Sequence, residues 1–114
     1  MKYQTAQLTG GLLDAAIAKA KLLPYRIERF GHSIDTSQFE VCWIEGLELK
    51  FTPSSSWQVG GPIIEQNRIA IDLSGDAWCA TVGSDYVGLA EGSTALIAAM
   101  RAFAVAKLGD EVEL

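Results

Sequence analysis

At 114 residues, with 49% apolar and 20% charged side chains, the chain has room for one domain spanning residues 1–114 and enough apolar surface for a core; this composition excludes intrinsic disorder. Fourteen acids against nine bases leave a net charge of −5, which disfavours a nucleic-acid partner, because binding phosphates takes a gathered basic face. The bases are scattered along the chain, and Lys19 with Lys21 falls at the end of a predicted helix, where cations complement the helix dipole.

The first predicted element is a helix from Thr9 to about Leu22. Thr9 is placed to cap it, Leu13, Ala16, Ile17 and Ala20 recur at helical spacing, and Pro24 closes it. Tyr25, Ile27 and Arg29 alternate with Arg26, Glu28 and Phe30 and permit a short strand, followed by a loop from Gly31 to Ser37. Phe39–Ile44 is a strand with apolar residues on both faces, which implies a sheet covered on both sides. Glu45-Gly46 makes a turn into Leu47–Phe51, whose one-sided alternation suits a strand nearer an edge.

Thr52 to Gly61 reads as the longest loop, and Pro62 opens a short helix to about Arg68, because proline is favoured at a first helical position. Ile69–Leu73 and Ala77–Val82 form a hairpin about Ser74-Gly75-Asp76, and the second of these strands is again apolar on both faces. Gly83–Gly92 reads as loop with a brief extended piece at 86–89. The last helix is capped by Ser93 or Thr94, closed by Gly109, and leads into a solvated acidic tail from Asp110 to Leu114. Helices flanking a sheet that is apolar on both faces give the expected architecture: α+β, a three-layer α/β/α sandwich around a mostly antiparallel sheet.

The residues that could carry chemistry are few. Cys42, Cys79 and His32 are too few and too far apart for a structural zinc site, and no cofactor is expected. Asp72 and Asp76 flank a turn and are read as hairpin polar residues facing water. His32, Ser33 and Asp35 are adjacent in a loop, whereas triads are assembled across a fold, so they read as solvated. Cys42 and Cys79 lie in apolar strands and are expected to be reduced, mostly buried thiols. Lys2 followed by Tyr3, Gln4 and Thr5 is no export segment, and the longest apolar helical stretch is far short of the ~20 residues of a membrane span, so a cytoplasmic protein is expected.

Thr52-Pro53-Ser54-Ser55-Ser56-Trp57, Gly60-Gly61-Pro62-Ile63-Ile64-Glu65 and Thr94–Phe103 running on to Lys107–Val112, together with Leu8-Thr9-Gly10 and Leu13-Asp14, carry a resemblance that covers nearly the whole chain. They are similar to the NinX-like family of phage and prophage proteins, a domain of unknown function, with departures at Ser56 (aspartate in the pattern) and at Thr94-Ala95 (proline after the threonine). The same arrangement is distantly similar to phage ABA-sandwich domains. The resemblance implies a phage or prophage accessory protein in a bacterial cell and supplies no catalytic residues.

The leading functional expectation is therefore a small binding or modulator protein acting on a phage or host protein. The alternatives are a small enzyme with its site at the 53–65 loop and an accessory factor in phage replication or recombination. The candidate binding residues are Ser54, Ser55, Ser56, Trp57, Gly60, Gly61 and Glu65, placed where a loop meets a helix start with unpaired N–H groups. Two roles are open for Trp57, a plug folded back into the core, which is favoured, or an exposed interface side chain. A homodimer is expected, because the Leu47–Phe51 strand leaves an edge that must be covered or paired.

Overall fold

The structure is a computed structural model and describes residues 1–31, 39–83 and 88–114. In chain order the elements are β1 (Lys2–Gln4), a 3-10 turn (Thr5–Gln7), α1 (Gly10–Ala20), β2 (Tyr25–Phe30), β3 (Phe39–Ile44), β4 (Leu49–Lys50), α2 (Trp57–Gln66), β5 (Ile69–Ser74), β6 (Ala77–Val82), β7 (Gly88–Gly92), α3 (Ala95–Leu108) and β8 (Glu111–Glu113). All pairing is antiparallel, so the α+β class and the antiparallel pairing are as the sequence implies. The strands divide into two three-stranded sheets, β2-β3-β4 and β5-β6-β7, and a ribbon of β1 with β8.

The order of the layers corrects the helix–sheet–helix expectation. The β2-β3-β4 sheet packs on α1, α1 packs on α3, and α3 packs on β5-β6-β7, so the helices lie inside and the sheets outside. Alanine makes this possible. Ala15 and Ala18 turn one side of α1 onto Cys42 and Ile44 of β3, while Leu13, Ala16 and Ile17 on its other side join Met100, Phe103 and Ala104 in the larger core. A helix apolar on every side is stable only when it is enclosed, and both α1 and α3 are.

Both strongly apolar strands, β3 and β6, are central in their sheets, as their sequences require. The outer face of β6 holds Ala77, Cys79 and Thr81, small side chains that stay partly exposed, with no covering layer among the described residues. Cys79 is thus only partly enclosed, unlike the buried Cys42, and neither is in a disulfide. The β7 strand lies tight on α3 because Gly88 and Gly92 have no Cβ; a Cβ at Gly88 would sit 2.8 Å from that of Ala106, and one at Gly92 would sit 2.6 Å from the backbone nitrogen of Ala98.

Three further expectations change. Leu47–Phe51 shortens to a two-residue β4, because residues 45–48 turn the chain with Glu48 at φ 52. The acidic tail is ordered as β8, where buried Val112 pairs with Tyr3. The helix expected from Pro62 starts at Trp57, leaving Pro62 inside it. Thr94 caps α3 by accepting a 3.1 Å bond from Ile97 N–H, and Gly109 closes it at φ 86. Thr9 stands at the start of α1 without a side-chain bond. His32, Ser33 and Asp35 lie outside the described residues, as do 84–87.

Candidate functional site

The loop expected to run from Thr52 to Gly61 is confined to 52–56. Within it the N–H groups of Ser55 and Ser56 donate to Thr52 O at 3.2 and 2.9 Å, forming a tight turn. Pro53 and Ser54 are buried. The turn is fastened to α1 by the Ser54 N–H, which donates to Asp14 Oδ1 at 2.8 Å. Val59 and Gly60 N–H then donate to Ser56 O at 3.1 and 2.8 Å, which starts α2 at Trp57. Proline is tolerated at 62 because it and Gln58, the residue whose carbonyl it leaves unpaired, are both exposed to water.

This turn separates two clefts. One, of about 300 Å³, is lined by Ser54, Ser55 and Trp57 on one side and by Thr94 to Ile97 of α3 on the other. The second, of about 250 Å³, is lined by Asp14, Glu40, Cys42, Lys50, Thr52, Ser54 and Ser55 among others. The first lies where α2 and α3 both begin, so the opening N–H groups of two helices border it. A more open groove of about 560 Å³ lies elsewhere, and its Arg101 is committed to Leu8 O at 2.7 Å and Glu91 O at 2.8 Å.

Asp14 dominates the electrostatics of the smaller cleft. It is 5% exposed. Burial raises its carboxyl from 3.8 to about 6, against the opposing hydrogen bonds from Ser54, so desolvation outweighs them. Cys42 lies beside it, and burial, reinforced by the Asp14 charge, pushes its thiol up to about 12. A thiol so protonated is not a nucleophile at neutral pH.

The predicted site residues separate into three groups. Ser54, Ser55 and Trp57 come together on the first cleft, and Ser56 occupies the cap position of α2 without a side-chain bond. Trp57 is 58% exposed, so it does not plug the core. Gly60 is buried under the turn, where a Cβ would overlap the Pro53 carbonyl and stand 2.8 Å from Leu96 Cδ1. Gly61 has room for a side chain: a Cβ there would meet only Trp57 Cε3, at 4.0 Å. Glu65 is exposed near the end of α2, so it cannot serve the helix start that was assigned to it. Asp14 was not among the expected site residues, although a lone carboxylate in the apolar run Leu13–Ala18 is a signal in its own right.

Among the described residues no helix is long and apolar enough to cross a membrane, and no cluster of three or more potential metal ligands occurs. No curated protein matches the chain. A family profile described as "Bacteriophage P22, NinX" matches residues 4–107, a span that runs from the last residue of β1 to the last turn of α3 and includes both clefts. The chain belongs to the bacteriophage P22 NinX family.

Proposed function

We propose that this chain is a phage accessory protein that binds a protein of the phage or its bacterial host through the surface around Trp57. The observation that carries this is Trp57 itself, 58% exposed at the lip of a cleft with Ser54, Ser55 and Thr94 around it. A tryptophan ring at the lip of a cleft is a side chain that a partner can bury, and tryptophan is enriched among the residues that dominate binding. Serine and threonine hydroxyls beside it supply neutral hydrogen-bonding groups, which suits a protein surface better than a phosphate backbone. The net charge of −5 favours the same choice. Two free cysteines fit a reducing cytoplasm.

The test is capture from phage-infected cells with tagged wild-type protein and the Trp57→Ala variant. A protein retained by the wild type and lost from a folded Trp57→Ala variant supports the reading; equal retention by both overturns it.

A second reading, a small enzyme at the same turn, has one observation in its favour. Asp14, with a carboxyl near 6, is hydrogen-bonded to Ser54 at the floor of a cleft, which is suited to a general base. It requires turnover that Asp14→Asn abolishes and Trp57→Ala leaves intact.

A further inference from the structure

We propose that the free edge of β2 is a homodimer interface, at which two copies pair β2 antiparallel about a two-fold axis through Ile27. This stands apart from the Trp57 surface and rests on the hydrogen-bond phase of the β2-β3-β4 sheet.

Among the described residues β2 pairs only with β3, in the register Tyr25↔Ile44 to Phe30↔Phe39. Two bonds fix which residues of β2 face outward. Glu45 N–H donates to Pro24 O at 3.0 Å, so Pro24, Arg26, Glu28 and Phe30 turn their backbone polar groups toward β3. Phe51 N–H donates to Cys42 O at 2.9 Å, so Cys42 faces β4 and its partner Ile27 faces away from β3. Both give the same answer. Tyr25, Ile27 and Arg29 present their N–H and C=O groups along an open edge six residues long.

The side chains select the register. With the axis through Ile27, the two Ile27 residues exchange both backbone bonds, and Tyr25 meets Arg29 of the second copy. Arg26 then stands opposite Glu28 of the second copy, twice, at the positions where side chains approach most closely. Moving the axis one residue either way sets Arg26 against Arg26 or Glu28 against Glu28. The strand therefore favours one pairing and penalises its neighbours.

Both side chains are already held on the outer face of the sheet. Arg26 donates to Glu48 at 3.1 and 2.7 Å and lies 5.4 Å from the centre of the Trp43 ring, and Glu28 accepts from Trp43 Nε1 at 3.2 Å. The guanidinium keeps further N–H groups for a second carboxylate. The product is one continuous six-stranded sheet, in which the longest edge left open among the described residues of this half is closed by an identical edge.

The experiment is light scattering on the wild type, on Arg26→Glu, on Glu28→Arg, and on an equimolar mixture of the two variants. The wild type should rise with concentration from the 12.3 kDa chain mass toward twice that value. Each variant alone sets like charges opposite one another and should stay at the chain mass. The mixture should recover the doubled mass, because one chain then carries only basic side chains at positions 26 and 28 and meets only acidic ones on the other.

Three results would overturn the proposal: a wild type that stays at the chain mass, variants that each remain dimeric, or a mixture that stays monomeric. Should a variant fail to fold, amide exchange on the wild type decides. Slowing of Tyr25, Ile27 and Arg29 with rising concentration supports the interface; exchange independent of concentration refutes it.

Discussion

The N–H of Ser54 reaches Asp14 Oδ1 at 2.8 Å across 40 residues of sequence, and this bond holds the 52–56 turn against α1. Because the turn ends where α2 begins, the bond also sets where Trp57 emerges. Asp14 belongs to the helix between the two cores, so the exposed surface is coupled to the most enclosed part of the molecule.

Asp14 should give the protein a pH dependence of definite sign. Its carboxyl is raised from 3.8 to about 6, so the folded protein holds this proton more tightly than the unfolded chain does. The resulting stabilisation is fully present below 3.8 and is lost as pH rises through the window up to about 6. The shift corresponds to about 3 kcal/mol. Asn at this position keeps an oxygen for Ser54 N–H and has no charge to bury. Thermal melts of Asp14→Asn should match the wild type near pH 4 and exceed it by several degrees at pH 7. Parallel curves for the two proteins across that range would show that Asp14 does not set the dependence.

Close packing rather than turn geometry should decide which glycines tolerate a side chain. Gly60→Ala drives a Cβ into the Pro53 carbonyl, and Gly92→Ala drives one to 2.6 Å from Ala98 N; backbone atoms cannot swing aside. Each should cost about 1–3 kcal/mol in urea unfolding, with the m-value unchanged. Gly75 has φ +62 in the β5–β6 turn and open space around it, a conformation asparagine adopts readily. Gly75→Asn should stay within about 0.5 kcal/mol of the wild type. A loss at Gly75 as large as at Gly60 would contradict the packing argument.

The two thiols should differ in reactivity. Cys42 is 1% exposed with its thiol near 12, whereas Cys79 lies half-buried on the outer face of β6. Labelling of the native protein with an uncharged alkylating reagent at neutral pH should modify Cys79 first and reach Cys42 only on unfolding. Rapid modification of Cys42 in the folded state would show that the smaller cleft opens further than its geometry indicates.

The parts of the fold legible in the sequence were those fixed by local rules. The limits of β3 and β6 followed from period-two alternation between turn residues, and those of α3 from Thr94 and Gly109. The start of α2 was hidden because Gly60-Gly61-Pro62 reads as a helix breaker, while the true start is set by a tether from Asp14, a residue of another element. The layer order was misjudged although its signal was present: Ala15, Ala16, Ile17 and Ala18 in succession describe a helix enclosed on every side. Apolar residues on both faces of β6 imply two covering layers, yet Ala77, Cys79 and Thr81 are small enough to stay only partly buried. A turn ahead of Trp57 was legible from Pro53 and the serines, whereas Asp14, to which it is tied, carried only the weaker signal of a lone carboxylate in the apolar run Leu13–Ala18.

Trp57 provides the sharpest separation of binding from stability. Its ring is 58% exposed, so little packing is lost when it is truncated. Trp57→Ala should leave the unfolding free energy within about 0.5 kcal/mol of the wild type. If the ring anchors a partner, the same change should weaken retention by at least about tenfold, the effect of losing a residue that dominates an interface. Thr94→Ala is the companion test, since Thr94 lines the same cleft but also caps α3 through Ile97 N–H at 3.1 Å. It should lower stability by about 1 kcal/mol and so show what a structural lesion at this site looks like. A Trp57→Ala protein destabilised as much as Thr94→Ala would mean that the ring supports the fold. A stable Trp57→Ala protein with undiminished retention would place the binding surface elsewhere on the molecule.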